Sequence, residues 1–113
     1  MASIGQQITV GTTATLLWQV MDGVTYAALG YTRAANPLVF IAGDVNAPLP
    51  ITLFLVSGST IYLGGSNVAS SGANIGAAVT GIVALNFNVV GDDSMYGVVA
   101  SSTQTLSLLT QRQ

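Results

Sequence analysis

The chain has 113 residues, of which half are apolar and only 5% are charged, and its formal net charge is −2. It contains no Lys, Glu, His or Cys, which excludes Ser-His-Asp and Cys-His catalysis and makes zinc, copper and haem sites unattainable within one chain. Its two arginines, Arg33 and Arg112, lie far apart in the sequence, so no basic patch and no nucleic-acid partner are expected.

The N-terminal part of the chain predicts one clear strand. Residues 1–7 have neither a basic segment nor an apolar core, so no signal peptide is expected. The same residues are interpreted as an extended N-terminal arm that orders on binding. Residues 13–20 alternate with period two, which is typical of a strand with one buried face. That face would consist of Ala14, Leu16, Trp18 and Val20. Residues 24–35, after the turn dipeptide Asp22-Gly23, are compatible with a helix, a strand or an irregular arm.

The middle of the chain predicts short strands separated by turns. Residues 38–42 are a compact apolar run, and Pro48 and Pro50 then prevent a sheet ladder because proline lacks the amide donor. Residues 51–56 form the strongest strand pattern, and residues 60–63 are expected to be its hairpin partner.

The C-terminal part completes an all-β pattern. Residues 79–90 place Leu85, Phe87 and Val89 on one face, and residues 95–100 and 105–109 add two more strands. About seven or eight short strands predict a β-sandwich, a jelly roll or a small barrel, formed as a single domain over residues 1–113. The long uncharged stretch is broken by Pro and Gly into strand-sized runs, so no membrane partner is expected.

Two pairs of turn residues are candidates for structural roles. Gly64 and Gly65 are expected to supply backbone angles that other residues disfavour, and no phosphate-binding pattern follows them. Asp92 and Asp93 are expected to cap a turn by accepting hydrogen bonds from the following amides. A calcium site at these two carboxylates is the weaker alternative because further acidic ligands are lacking, so no metal and no cofactor is predicted.

Two segments carry a resemblance to a known group of proteins. Residues 60–68 read Thr-Ile-Tyr-Leu-Gly-Gly-Ser-Asn-Val, and residues 91–98 read Gly-Asp-Asp-Ser-Met-Tyr-Gly-Val. In this order they resemble the C-terminal half of small β-rich virion proteins of tailed bacteriophages, which occur as head decoration (cement) subunits or as small tail and fibre modules. The resemblance covers residues 51–109 and brings no catalytic residues.

The resemblance implies a non-enzymatic virion protein that is made in the host cytoplasm. The leading hypothesis is a capsid decoration protein that binds the major capsid protein and copies of itself, for example as a trimer, and stabilises the expanded lattice. A surface so poor in charge agrees with burial among neighbouring subunits.

The alternative hypothesis is a tail or fibre module that recognises a host-surface glycan or protein. The candidate contact residues for either function are Ile4, Trp18, Tyr26 and Tyr31, although a tryptophan such as Trp18 is more often a core anchor than a ligand platform. An enzyme that relies on Asp alone is the least favoured hypothesis.

Overall fold

The computed structural model describes residues 4–43, 46–56 and 59–110. Within these ranges the chain forms nine strands and one short helix. In chain order they are β1 (Ile4–Val10), β2 (Thr15–Met21), α1 (Gly23–Ala28), β3 (Val39–Ile41), β4 (Leu49–Leu55), β5 (Ile61–Gly64), β6 (Ala77–Val79), β7 (Val83–Val89), β8 (Asp93–Val98) and β9 (Gln104–Thr110). The all-β fold predicted from the sequence is confirmed, with nine strands where about seven or eight were expected.

The strands form two sheets that pack face to face in a sandwich-like arrangement. The first sheet has the order β1-β9-β4-β7, and all of its strand pairs are antiparallel. The second sheet has the order β3-β2-β8-β5-β6, in which β2 and β3 are parallel and the other pairs are antiparallel. Of the three architectures that the sequence allowed, the described strands therefore match the sandwich.

Strict alternation of side chains builds the inner face of the first sheet. In β4, every second side chain from Leu49 to Leu55 is at most 1% exposed, and β9 repeats the pattern at Leu106 and Leu108. Burying one such side chain stabilises the fold by about 1.5–3 kcal/mol. The intervening side chains of β4 and β9 point away from the core, so they form the outer face of this sheet.

Strand β2 departs from the alternation that its sequence suggests. The register with β8 shifts between Leu16 and Trp18, so Leu17 is an extra residue in a β-bulge. As a result Leu17 and Trp18 are both buried, whereas Leu16, which was expected on the core face, is half-exposed. Trp18 reaches the opposite sheet, where its ring lies 5.6 Å from the ring of Phe87 between centroids.

The expected hairpin between residues 51–56 and 60–63 does not form. β4 pairs with β9 on one side and β7 on the other, and β5 crosses to the second sheet, where it pairs with β6 and β8. The physical reason is strand length: both neighbours of β4 have seven residues, so they form longer ladders than the four residues of β5 could.

The ambiguous segment after Asp22 contains helix α1. The side-chain oxygen Oδ1 of Asp22 accepts a hydrogen bond of 2.8 Å from the amide of Thr25, which is an N-cap interaction. Tyr26 is the buried residue of the helix, and it packs against Met21 and Val39 on the outer face of the second sheet. Among the residues that the structure describes, no helix has the length and apolar character needed to span a membrane.

The predicted N-terminal arm is only partly covered by the described residues. Residues 4–7 belong to β1 and pair with residues 107–110 of β9, so this part is an edge strand and not a separate arm. The free edge of β9 provides backbone partners for all seven residues of β1, which explains why the segment joins the sheet. Residues 1–3 lie outside the described residues.

Candidate interaction surface

The charged residues among the described residues lie at one end of the second sheet. Asp22 follows β2, Asp92 precedes β8, Asp93 begins β8, and Arg33 places its guanidinium 5.0 Å from the centre of the Phe40 ring in β3. Asp44 and Arg112 lie outside the described residues. The strands of the first sheet contain no charged residue, so its outer face presents none to solvent.

We call the outer face of the first sheet the uncharged sheet face. Its members alternate with the buried residues of the four strands and are mostly small or polar. They are Gly5, Gln7, Thr9, Pro50, Thr52, Phe54, Ala84, Asn86, Asn88, Thr105, Ser107 and Leu109. Short, uncharged side chains make a surface that another protein can approach closely without desolvating an ion.

The centre of the uncharged sheet face has a regular register. Ser107 lies opposite Gln7 on one side and opposite Phe54 on the other, and Phe54 lies opposite Ala84. Beside this row, the hydroxyl of Thr52 donates a hydrogen bond of 2.9 Å to Oδ1 of Asn86 on the neighbouring strand. The hydrogen bond holds both side chains along the sheet surface, so the face is preorganised for contact with a flat partner.

Large apolar side chains collect at one corner of this sheet. Phe54, Val56, Ile82 and Val83 are 37%, 55%, 76% and 37% exposed, and all four lie on β4, on β7 or beside them. We call these four residues the apolar corner. Exposed apolar side chains that occur singly are ordinary, whereas a group of them on adjacent strands indicates a contact surface.

The three aspartates at the end of the second sheet accept hydrogen bonds from backbone amides. Oδ1 of Asp93 accepts a hydrogen bond of 2.8 Å from the amide of Ser94, as expected from the sequence, whereas Oδ1 of Asp92 accepts one of 3.1 Å from the distant amide of Asp22. Hydrogen bonds from the amide and hydroxyl of Thr25 lower the pKa of Asp22 below its ordinary value. Among the described residues, no group of three or more acidic side chains has an arrangement that could hold a metal ion.

The paired glycines serve close packing, and the prediction that they need unusual backbone angles is wrong. Neither Gly64 nor Gly65 has a positive φ. A Cβ at Gly64 would lie 3.0 Å from Cγ2 of Val68, whose side chain is buried beneath the loop that follows. The carbonyl of Gly65 accepts a hydrogen bond of 3.0 Å from the amide of Val68, which closes the turn.

The structure does not gather the predicted contact residues into one site. Trp18 is 1% exposed in the core and Tyr26 is 8% exposed beside Met21 and Val39, so a partner cannot reach their rings. Tyr31 is half-buried and packs edge-on against Tyr26, with ring centroids 5.8 Å apart. The backbone of Ile4 pairs with Thr110 at the end of β1.

Sequence reasoning did not identify the apolar corner. The available signal was that Phe54 and Val56 are large apolar residues in the opposite phase from Ile51, Leu53 and Leu55. Since a strand with one buried face usually has polar residues in its other phase, apolar residues in both phases indicate a second covered surface.

Two shallow pockets lie outside the uncharged sheet face, and none of its members lines them. The first, of about 400 Å³, is lined by the hydroxyl-bearing residues Ser59, Thr60, Tyr62, Ser101 and Thr103, together with Val99 and Ala100. The second, of about 480 Å³, lies at the end of the second sheet beside Asp92 and Asp93. The hydroxyl-lined pocket offers hydrogen-bonding groups and one aromatic ring, which are features of sites that bind polar ligands.

Comparisons with known proteins give little further information. No family model matches the sequence, and no curated protein matches it. A solved structure described as "Bacillus endospore appendages form a novel family of disulfide-linked pili" is similar, with 12% identity and a TM-score of 0.42, over 98% of this chain and 86% of that chain. A TM-score of 0.42 is too low to support an argument about this chain.

Proposed function

We propose that this chain is a non-enzymatic structural protein of a tailed-phage particle, most specifically a decoration protein that binds the outer surface of the capsid. The observation that supports the proposal best is the uncharged sheet face, with the apolar corner at its border. The resemblance of residues 60–68 and 91–98 to small virion proteins supplies the biological setting.

The uncharged sheet face suits a subunit that packs among fixed neighbours. Four strands of seven residues each cover roughly 20 Å by 24 Å, which is about 500 Å². A standard protein interface buries about 800 Å² on each partner, so this face alone would support only moderate affinity. Such affinity is sufficient on a capsid when the free concentration of the chain exceeds the Kd of each site.

The proposed mechanism is selective binding to one state of the lattice. A decoration protein that binds the expanded lattice and not its precursor stabilises the expanded form by mass action. No catalytic group is needed for this activity. The side chains of Asp22, Asp92 and Asp93, three of the four acids in the sequence, accept backbone hydrogen bonds, and those of Asp22 and Asp93 serve as local caps.

Sedimentation with capsids tests the proposal. Expanded heads that lack the protein are mixed with the purified chain and pelleted, and the bound copies per head are counted. We expect near-stoichiometric binding by the wild type and at least about tenfold weaker binding by Ser107→Lys, which buries a charge at the centre of the uncharged sheet face. Ala78→Lys, an exposed position on β6 of the other sheet, is the matched control and should bind like the wild type.

Two outcomes would contradict the proposal. The first is a wild-type chain that remains in the supernatant at all concentrations, and the second is equal binding by Ser107→Lys and Ala78→Lys. The number of copies per particle adds an independent measurement, because hundreds of copies indicate the head surface and a handful indicate the tail.

The hydroxyl-lined pocket favours one alternative, a tail or fibre module that recognises a host-surface glycan. Tyr62 would stack against a sugar ring while the surrounding hydroxyls form hydrogen bonds with it. The test is binding of the labelled chain to host cells and to purified surface polysaccharide, with Tyr62→Ala as the variant. Binding that Tyr62→Ala abolishes would favour this alternative over capsid decoration.

A further inference from the structure

Strand β7 is a long, unprotected edge of the first sheet. It pairs with β4 along its whole length, in a register without bulges, and no described strand covers its other side. Its seven residues, Val83–Val89, include no charge and no proline. Edge strands in soluble proteins are usually blunted by charges, prolines or bulges, so this edge has the properties of one that receives another strand.

The edges of the second sheet are different. Its edge strands β3 and β6 have only three residues each, which is too short to template a stable pairing. Val90, which follows β7, forms an isolated bridge with Gly43. The edge that is open to a second strand is therefore β7 itself.

The side chains along β7 are arranged symmetrically about Asn86. If two copies of β7 lie antiparallel with Asn86 opposite Asn86, then Ile82 faces Val90, Val83 faces Val89, and Leu85 faces Phe87. Ile82 and Val90 are 76% and 52% exposed in one chain, and each would gain an apolar neighbour from the other copy. No two charges are brought together in this register.

We propose that β7 pairs with β7 of a second copy around a two-fold axis at Asn86. The other free edge of this sheet is β1, whose exposed described side chains include Gln7 and Thr9. A β1–β7 contact is head-to-tail and leads to rings or open filaments, whereas β7–β7 closes at two subunits.

The pairing produces one continuous sheet of eight strands in the order β1-β9-β4-β7-β7-β4-β9-β1. A two-fold axis perpendicular to the sheet keeps both uncharged sheet faces on the same side of the dimer. The contact is about 24 Å long, which places it among the smaller protein interfaces, so the dimer is concentration-dependent. The inference goes beyond the proposed function and is tested without capsids.

Sedimentation velocity over a range of concentrations tests the dimer. We expect the wild type to pass from monomer to dimer, and Asn86→Lys to weaken dimerisation by at least about tenfold because two lysines then face each other at the axis. An equimolar mixture of Asn86→Lys and Asn86→Asp should restore the dimer, because opposite charges meet. Gln7→Lys adds the same charge to the other edge strand, on the same sheet face, and should dimerise like the wild type.

A cross-linking variant gives a second readout that does not depend on charge. Because the chain has no cysteine, Asn86→Cys introduces a single thiol, and residues directly opposite each other in a ladder lie within disulfide distance. We expect Asn86→Cys to form a covalent dimer on mild oxidation, and Gln7→Cys to remain monomeric.

Three results would overturn the inference. They are a wild-type chain that stays monomeric at every concentration, an Asn86→Lys variant that dimerises like the wild type, and a Gln7→Lys variant that dissociates as Asn86→Lys does. The third result would show a β1–β7 contact instead of the two-fold pairing.

Discussion

The two sheets of this protein bury similar inner faces but have different outer faces. The second sheet has helix α1 packed over β2 and β3 and its charged residues at one end, and the tyrosines of β5 and β8 are half-buried. The first sheet has no covering element among the described residues and no charge in its strands. The difference shows that alternation determines which side chains enter the core, whereas the residues in the opposite phase determine how each surface is used.

The largest expected effect is the difference in stability between substitutions on the two faces of β4. Leu53→Ala should lower the free energy of unfolding by about 2–5 kcal/mol, because Leu53 is completely buried between the sheets. Phe54→Ala, at the next residue, should cost about 1 kcal/mol or less because Phe54 lies on the outer face. Urea denaturation of both variants measures the contrast, and equal losses would contradict the assignment of the two faces.

A glycine substitution tests the packed loop of the second sheet. A Cβ at Gly76 would lie 2.6 Å from the carbonyl oxygen of Leu63 and 2.5 Å from Cγ2 of Val68, so Gly76→Ala should destabilise the protein by about 1–3 kcal/mol. Gly5→Ala on β1 is the control, because a Cβ there meets nothing within 4 Å. Thermal unfolding should show a lower Tm for the first variant and an unchanged or slightly higher Tm for the second.

Helix α1, which packs on the second sheet, contains a buried polar atom that does not stabilise the fold. The Tyr26 hydroxyl is buried and has no hydrogen-bond partner among the described residues, so Tyr26→Phe should leave stability unchanged or raise it by about 1 kcal/mol. Tyr31→Phe, on the neighbouring ring, is the matched control and should change stability little. A clear loss of Tm in Tyr26→Phe alone would show that the hydroxyl has a stabilising partner.

The smallest effect concerns pH. Asp22 has a folded-state pKa below its ordinary value, chiefly because of its hydrogen bond with the Thr25 amide. Its charge therefore contributes stability that is complete above the unfolded-state pKa and is lost as the pH falls through the folded-state pKa. The Tm of the wild type should fall in that acidic range more than the Tm of Asp22→Asn, and identical pH profiles would contradict the capping role.

Local patterns in the sequence explain part of this architecture. The strands at residues 51–56 and 105–109 were predictable because their alternation is regular and their neighbours are turn residues. The bulge at Leu17 and the crossing of β5 to the other sheet were not, because both depend on partners far away in the sequence. The hydrogen bond from the Asp22 amide to Asp92 joins residues 70 positions apart, so no local pattern predicts it.

The contact surfaces were harder to predict than the fold. Large aromatic residues such as Trp18 and Tyr26 serve equally well in a core and in a binding site, and only the packing decides between them. The uncharged sheet face is built from Thr, Ser, Asn and Gln, whose individual positions carry no signal until the register brings them together.

The position of β9 has a consequence for biosynthesis. Strand β9 is synthesised after β1 and β4 but lies between them in the first sheet, so β1 has no partner in that sheet until β9 has been made. At about 5–20 residues per second, β1 waits roughly 5–20 s for its neighbour. A product truncated before β9 would expose the unpaired edges of β1 and β4, and it would aggregate or be degraded instead of joining an assembly.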